Sequence, residues 1–176
     1  MRLDQLQAQV EKLHRAPTER WNPEFCGDID IEIKRSGEWF YGGSKISRPQ
    51  LVRLFASVLR HENNEYFLVT PAEKVRIRVE DLPFVIVGWK LVENDGLTWL
   101  QVETNIGEQY LVSEQHPVVS VAELPAVQIR DHLLARVHRN VYYQWADRLE
   151  NAKPSEAPGY YLVSGTERFL IGEVGP

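Results

Sequence analysis

The sequence predicts an α+β protein of two lobes, and three observations carry that expectation. Tyr66-Phe67-Leu68-Val69-Thr70-Pro71-Ala72-Glu73-Lys74 is echoed 94 residues later by Tyr160-Tyr161-Leu162-Val163-Ser164-Gly165-Thr166-Glu167-Arg168. Each echo follows an amphipathic segment that opens at an arginine, Arg48 or Arg139. Between these segments, apolar residues alternate with a period of two, the mark of half-buried strands. Together they describe a duplicated hairpin-helix-hairpin unit, hence two lobes and a seam between them. Ligand sites form preferentially at such seams.

In chain order, Leu3, Leu6, Val10 and Leu13 recur at helical spacing, and Ala16-Pro17 ends the segment, giving an N-terminal arm. The arm either covers a sheet edge of its own chain or packs on another subunit. Residues 16–27 read as an extended connector set by Pro17 and Pro23. Asp28-Ile29-Asp30-Ile31-Glu32-Ile33-Lys34 alternates strictly, placing the isoleucines on one face and the carboxylates on the other. Ser36-Gly37-Glu38 turns it into Trp39-Phe40-Tyr41, which Gly42-Gly43 ends. Proline at the start and the stripe Leu51, Leu54, Phe55, Val58, Leu59 predict a helix, broken by His61-Glu62-Asn63-Asn64. Tyr66–Thr70 and Val75–Val79 form a second hairpin, with Lys74, Arg76 and Arg78 facing outward.

Asp81-Leu82-Pro83 marks the lobe boundary. The expected organisation is residues 1–20 as arm and linker, 21–81 as the first lobe and 82–176 as the second. Phe84–Val92, Leu97–Thr104 and Gln109–Val112 read as strands joined by Asn94-Asp95-Gly96 and Asn105-Ile106-Gly107 turns. The stretch 117–125 has no clear pattern. Ala126–Arg130 and Leu133–Val137 precede a helix from Arg139 to Leu149 with the stripe Tyr142, Trp145, Ala146, Leu149. A polar loop over 151–159 leads to the closing hairpin, Tyr160–Ser164 and Phe169–Glu173.

Composition narrows the function classes. The 176 residues are 43% hydrophobic and 26% charged, as in a globular protein able to fold alone. Residues 1–80 carry 13 basic and 12 acidic groups, and residues 81–176 carry 7 and 13, so the second half is acidic. That balance disfavours nucleic-acid polymers and anionic membranes as partners. With one cysteine, Cys26, no intramolecular disulfide can form, and no apolar run reaches signal-peptide or membrane-spanning length. A cytoplasmic protein is the expectation.

No phosphate loop, dinucleotide fingerprint, nucleophile elbow or zinc-protease motif is present, so no enzymatic activity and no cofactor are expected. Asp28, Asp30 and Glu32 lie about 7 Å apart along their strand, too far to share one ion, and read as a solvated strand face. Gly42-Gly43-Ser44-Lys45 reads as a turn. The five histidines, His14, His61, His116, His132 and His138, never reach a metal spacing and read as surface or capping residues. Cys26 reads as a small buried residue. The row Lys74, Arg76, Arg78 is replaced in the second echo by Arg168, Leu170 and Gly172, so the fold of the unit does not demand Arg76 or Arg78. Arg48 and Arg139 stand at helix starts, where a cation opposes the helix dipole and calls for a partner. That partner is Glu73 or Glu167 in a repeated ion pair, or an anion bound between Arg48, Lys74 and Arg139.

Trp21-Asn22-Pro23, Cys26-Gly27-Asp28-Ile29-Asp30-Ile31, Trp39-Phe40-Tyr41, Arg48-Pro49 with the helix after it, Leu68-Val69-Thr70-Pro71, Val79-Glu80-Asp81 and Thr104-Asn105 resemble a bacterial family, domain of unknown function 1285. The resemblance spans the chain and thins after residue 110. It implies an α+β protein with a duplicated core and a pleckstrin-homology-like C-terminal lobe. It also implies a nucleotide-type ligand between the lobes and a role in signal transduction. This chain departs at Asn140, where the first copy has proline, and at Gly165, where it has Pro71.

The resulting expectation is a non-enzymatic regulatory module binding a small anionic or nucleotide-like ligand at the seam. Arg48, Lys74, Arg76 and Arg139 would supply charge, Thr104 and Asn105 turn donors, and Trp39 or Tyr41 a stacking surface for a base. The alternatives are a protein-interaction module, through the arm, the acidic lobe or self-association, and a hydrolase with an unrecognised site.

Overall fold

The computed structural model describes residues 3, 5–7 and 21–172. They are mixed α+β, mostly strand with few helices, and the chain divides into two units between Leu82 and Pro83. No helix among the described residues is long and apolar enough to cross a membrane.

In the first unit Leu3, Gln5, Leu6 and Gln7 are helical and Leu6 is fully buried. The rest of the expected arm, Val10 and Leu13 included, and the connector up to residue 20 lie outside the described residues. Six strands follow: β1 (Phe25–Ile33), β2 (Trp39–Tyr41), β3 (Ser44–Lys45), β4 (Leu59–Glu62), β5 (Glu65–Val69) and β6 (Lys74–Val79). They form one sheet in the order β3-β2-β1-β6-β5-β4, with helix α1 (Pro49–Ala56) joining β3 to β4. The central β1–β6 pair is parallel. Its alternation is as expected: Ile29, Ile31, Ile33, Val75 and Ile77 are buried. β1 begins earlier than the sequence suggested, so Phe25, Cys26 and Gly27 are strand rather than connector, and Cys26 is exposed rather than buried.

The largest correction falls after α1. The helix stops at Ala56, where the Ser57 hydroxyl donates to the Leu54 carbonyl at 2.5 Å. Leu59 is then a strand residue opposite Leu68. Asn63 and Asn64, at φ 52° and 63°, make the two-residue turn that brings Glu62 opposite Glu65. Two consecutive positive φ values suit the right-handed twist of a hairpin, and asparagine tolerates them. Val58, in the turn, and Leu59, in the strand, are buried as they would be on a helix, so the apolar pattern alone did not distinguish the two. Gly42-Gly43, at φ 58° and 82°, makes the same kind of turn between Tyr41 and Ser44.

The second unit holds β7 (Phe84–Asn94), β8 (Leu97–Thr104), β9 (Gln109–Leu111), β10 (Val118–Val121), β11 (Leu124–Arg130) and β12 (Leu133–Val137). Their order is β10-β11-β12-β7-β8-β9, again with a parallel pair, β7–β12, at the centre. The unassigned stretch 117–125 thus contains β10. Helix α2 (Arg139–Trp145) is shorter than expected and passes into a single 3-10 turn, Ala146–Arg148. Its buried residues are Val141 and Trp145, and Ala146 is exposed. His138 caps it, its Nδ1 accepting from the Asn140 amide at 3.1 Å. β13 (Glu150–Asn151), β14 (Tyr160–Ser164) and β15 (Glu167–Gly172) form a separate three-stranded sheet.

The echoed stretches fold alike. Val69 faces Lys74, Leu68 faces Val75 and Phe67 faces Arg76. At the 94-residue offset Val163 faces Arg168, Leu162 faces Phe169 and Tyr161 faces Leu170. In both cases a helix and a further strand precede the hairpin, so each helix is followed by three strands rather than two. The turns differ for a steric reason. A Cβ at Gly165 would lie 2.5 Å from the Trp99 ring. The Gly165 amide donates to the Thr98 carbonyl at 2.9 Å. Ser164 Oγ accepts from the Leu100 amide and donates to the Val112 carbonyl. The second hairpin is docked on β8, and its tip has room only for glycine.

Candidate anion-binding site

Strand pairing decides the fate of the basic row. The parallel register sets Asp28 opposite Arg76 and Glu32 opposite Arg78, so the carboxylate face of β1 and the basic face of β6 are one surface. Arg76 engages Asp28 through two bonds, Nε to Oδ1 at 2.6 Å and Nη2 to Oδ2 at 3.2 Å, and reaches Glu65 at 3.3 Å. Arg78 bonds Asp30 at 2.7 Å and lies 3.7 Å from Glu32. Lys74 pairs with Glu62 and sits 4.3 Å over the Phe67 ring. Hydrogen bonding to Arg76 holds the Asp28 carboxyl below its ordinary value, and Lys34, 2.5 Å away, does the same for Glu32. Among the described residues no group of three potential ligands gathers to hold a metal. Lys74 and Arg76, named above as anion-binding residues, are therefore charge-matched by their own sheet.

Thr104 and Asn105 are likewise engaged. Thr104 is 1% exposed, and its Oγ1 accepts from the Glu108 amide at 3.2 Å. Asn105 exchanges two bonds with Val85: its amide donates to the Val85 carbonyl at 2.8 Å, and its Oδ1 accepts from the Val85 amide at 3.0 Å. That double bond pins the β8–β9 turn to the start of β7. Trp39 is 1% exposed and belongs to the core, which corrects its assignment as a stacking surface; Tyr41, half-buried, keeps that possibility. Arg139 is exposed at the start of α2 in the second unit. The repeated ion pair also does not form. Arg48 and Arg139 make no ion pair among the described residues, and Glu73 Oε2 is buried without a hydrogen-bond partner.

Arg48 lines a cavity. It precedes α1 with φ −85° and ψ 112°, and its side chain does not cap the helix. Beside it opens a cleft of about 310 Å³ lined by Gln7, Arg48, Gln50, Leu51 and Leu54. Pro49 fixes the first turn, which carries no acidic residue, so the guanidinium faces no opposing carboxylate there. Sequence reasoning found Arg48 but assigned Leu51 and Leu54 only to the core and passed over Gln7 and Gln50. Gln50, two residues after Arg48, was the one readable signal; Gln7 comes from the arm, 41 residues upstream.

Residues 16–82 match the N-terminal domain of domain of unknown function 1285, DUF1285, and residues 83–171 match its C-terminal domain. The chain belongs to the DUF1285 family. A crystal structure of a DUF1285 family protein from Silicibacter pomeroyi DSS-3 is 35% identical to it. That match covers 96% of this chain and 95% of the other, with a TM-score of 0.83. A second, from Shewanella baltica OS155, is 30% identical over 66% of this chain and 90% of its own, with a TM-score of 0.55. Comparison with curated proteins gave no match. The family's own description assigns no activity.

Proposed function

We propose that this DUF1285 protein is a non-enzymatic regulatory module of the cytoplasm, acting in signal transduction by binding a small anionic ligand in the Arg48 cleft of its first unit. The observation that carries this reading is a guanidinium beside a cavity, with no ion-pair partner among the described residues. The other cations of the unit singled out above are matched by carboxylates. The described lining holds no carboxylate, imidazole or thiol to serve as a general acid or base, which supports binding over catalysis. The pleckstrin-homology-like description of the second unit stays part of this proposal. Two antiparallel three-stranded halves followed by a helix support it.

A thermal-shift screen of the full chain against phosphates, nucleotides and carboxylates, with Arg48→Glu alongside, tests the reading. A ligand at one hundred times its Kd stabilises by about 2.7 kcal/mol, a shift of roughly 5–11 °C at this size. The expected result is such a shift in the parent and its loss in the variant. A flat response with the variant still folded overturns the reading and leaves the protein-interaction alternative. That alternative rests on β7, whose pairing with β12 ends at Ile86 while Val87 and Leu91 stay 50% and 43% exposed.

A further inference from the structure

The chemistry of the Arg48 cleft selects among anions. A phosphate at a helix start is ordinarily cradled by several free backbone amides. Here Pro49 has no N–H, and the Leu51 and Val52 amides both donate to the Arg48 carbonyl, at 3.1 and 3.3 Å. Only the Gln50 amide remains of that first turn, so recognition falls to the side chains. The described lining contains one cation, Arg48, and no lysine or second arginine. Arg48 by itself balances one negative charge, whereas a phosphomonoester near neutral pH carries close to two. A guanidinium is a planar fork that matches a carboxylate with two parallel hydrogen bonds.

The neutral part of the lining is equally restrictive. Gln7 and Gln50 are primary amides, each with donor and acceptor groups. Leu51 and Leu54 supply a branched aliphatic wall, Leu51 being only 5% exposed. The described lining holds no aromatic ring, and Trp39 is in the core, so these residues offer a nucleobase nothing to stack on. The volume of about 310 Å³ stands at the small end of ligand pockets.

We infer that the cleft takes a small monocarboxylate with a short branched apolar body, its carboxylate on Arg48 and its body against Leu51 and Leu54, in place of a phosphate or nucleotide. This rests on the anion-binding reading above and narrows it. The test is isothermal titration of the full chain with 4-methylpentanoate, acetate, inorganic phosphate and adenosine monophosphate, repeated on Arg48→Lys and Leu54→Asn. Both positions are at least partly exposed, and circular dichroism confirms that the variants fold. The expected result is that 4-methylpentanoate binds more tightly than acetate, while phosphate and the nucleotide do not bind. Arg48→Lys, which keeps the charge and loses the fork, should weaken 4-methylpentanoate by about tenfold, and Leu54→Asn should erase its advantage over acetate. Arg48-dependent binding of phosphate or nucleotide, equal to or tighter than the carboxylate, overturns the carboxylate class and leaves the anion reading standing. Absence of binding by all four, or binding indifferent to Arg48, overturns both.

Discussion

Charged side chains in the first unit are sorted by whether the sheet itself supplies a counter-charge. Asp28, Asp30 and Glu32 alternate on β1, and Lys74, Arg76 and Arg78 alternate on β6. Each row was legible in the sequence, but that they face each other was not, because a parallel pairing across 48 residues leaves no local signal. The pairing has a testable consequence in acid. Asp28 titrates below its ordinary value because it accepts from Arg76. A group whose pKa is depressed on folding adds stability above its unfolded value and loses it as pH falls through the folded one. Urea midpoints of the parent should therefore drop between pH 6 and pH 3 by more than those of Asp28→Asn. The difference should be small, since the pair is exposed and screened. Parallel pH dependence in the two proteins would remove this pair as a contributor. Trp39 shows the opposite limit of sequence reading: an aromatic in an aromatic run looks the same whether it stacks a ligand or fills a core.

At the level of elements, the strands with strict alternation were read within a residue or two, as β6 and β8 show, because period two is a direct image of burial on one face. Elements set by turns were harder. β4 was absorbed into the helix before it, and β10 was left unassigned, since both depend on two-residue turns made by residues other than glycine. The β10–β11 turn is the clearest case. Ala122 and Glu123 sit at φ 53° and 66°, a conformation costing an L-residue roughly 1 kcal/mol or more. Arg136, 9% exposed on β12, holds it closed by donating to the Val121 and Leu124 carbonyls, each at 3.0 Å. Ala122→Gly should relieve that strain and stabilise the protein by about 0.5–1 kcal/mol, read as a higher denaturant midpoint at unchanged slope. An unchanged or lower midpoint would mean that the turn is not strained.

On the scale of the whole chain, the echo at a 94-residue offset was the most informative feature, and the shared hairpin registers show why: identical spacing of inward residues requires identical pairing. The candidate site was less legible. Of the eight residues singled out from the sequence, Lys74, Arg76, Thr104, Asn105 and Trp39 are spent on ion pairs, turn bonds or the core. Arg48 lines the cavity. Burial and pairing, which consumed those five, are properties of the folded chain that residue type does not carry. The central claim is that Arg48 is the cation that meets a ligand, and the direct measurement is a side-chain and backbone NMR titration of the full chain with 4-methylpentanoate. The account predicts shifts centred on the Arg48 Nε–H, Gln50, Leu51 and Leu54, with Lys74, Arg76, Thr104 and Asn105 still. Shifts centred on those four instead, or no shift at Arg48 while the ligand binds elsewhere, would contradict it.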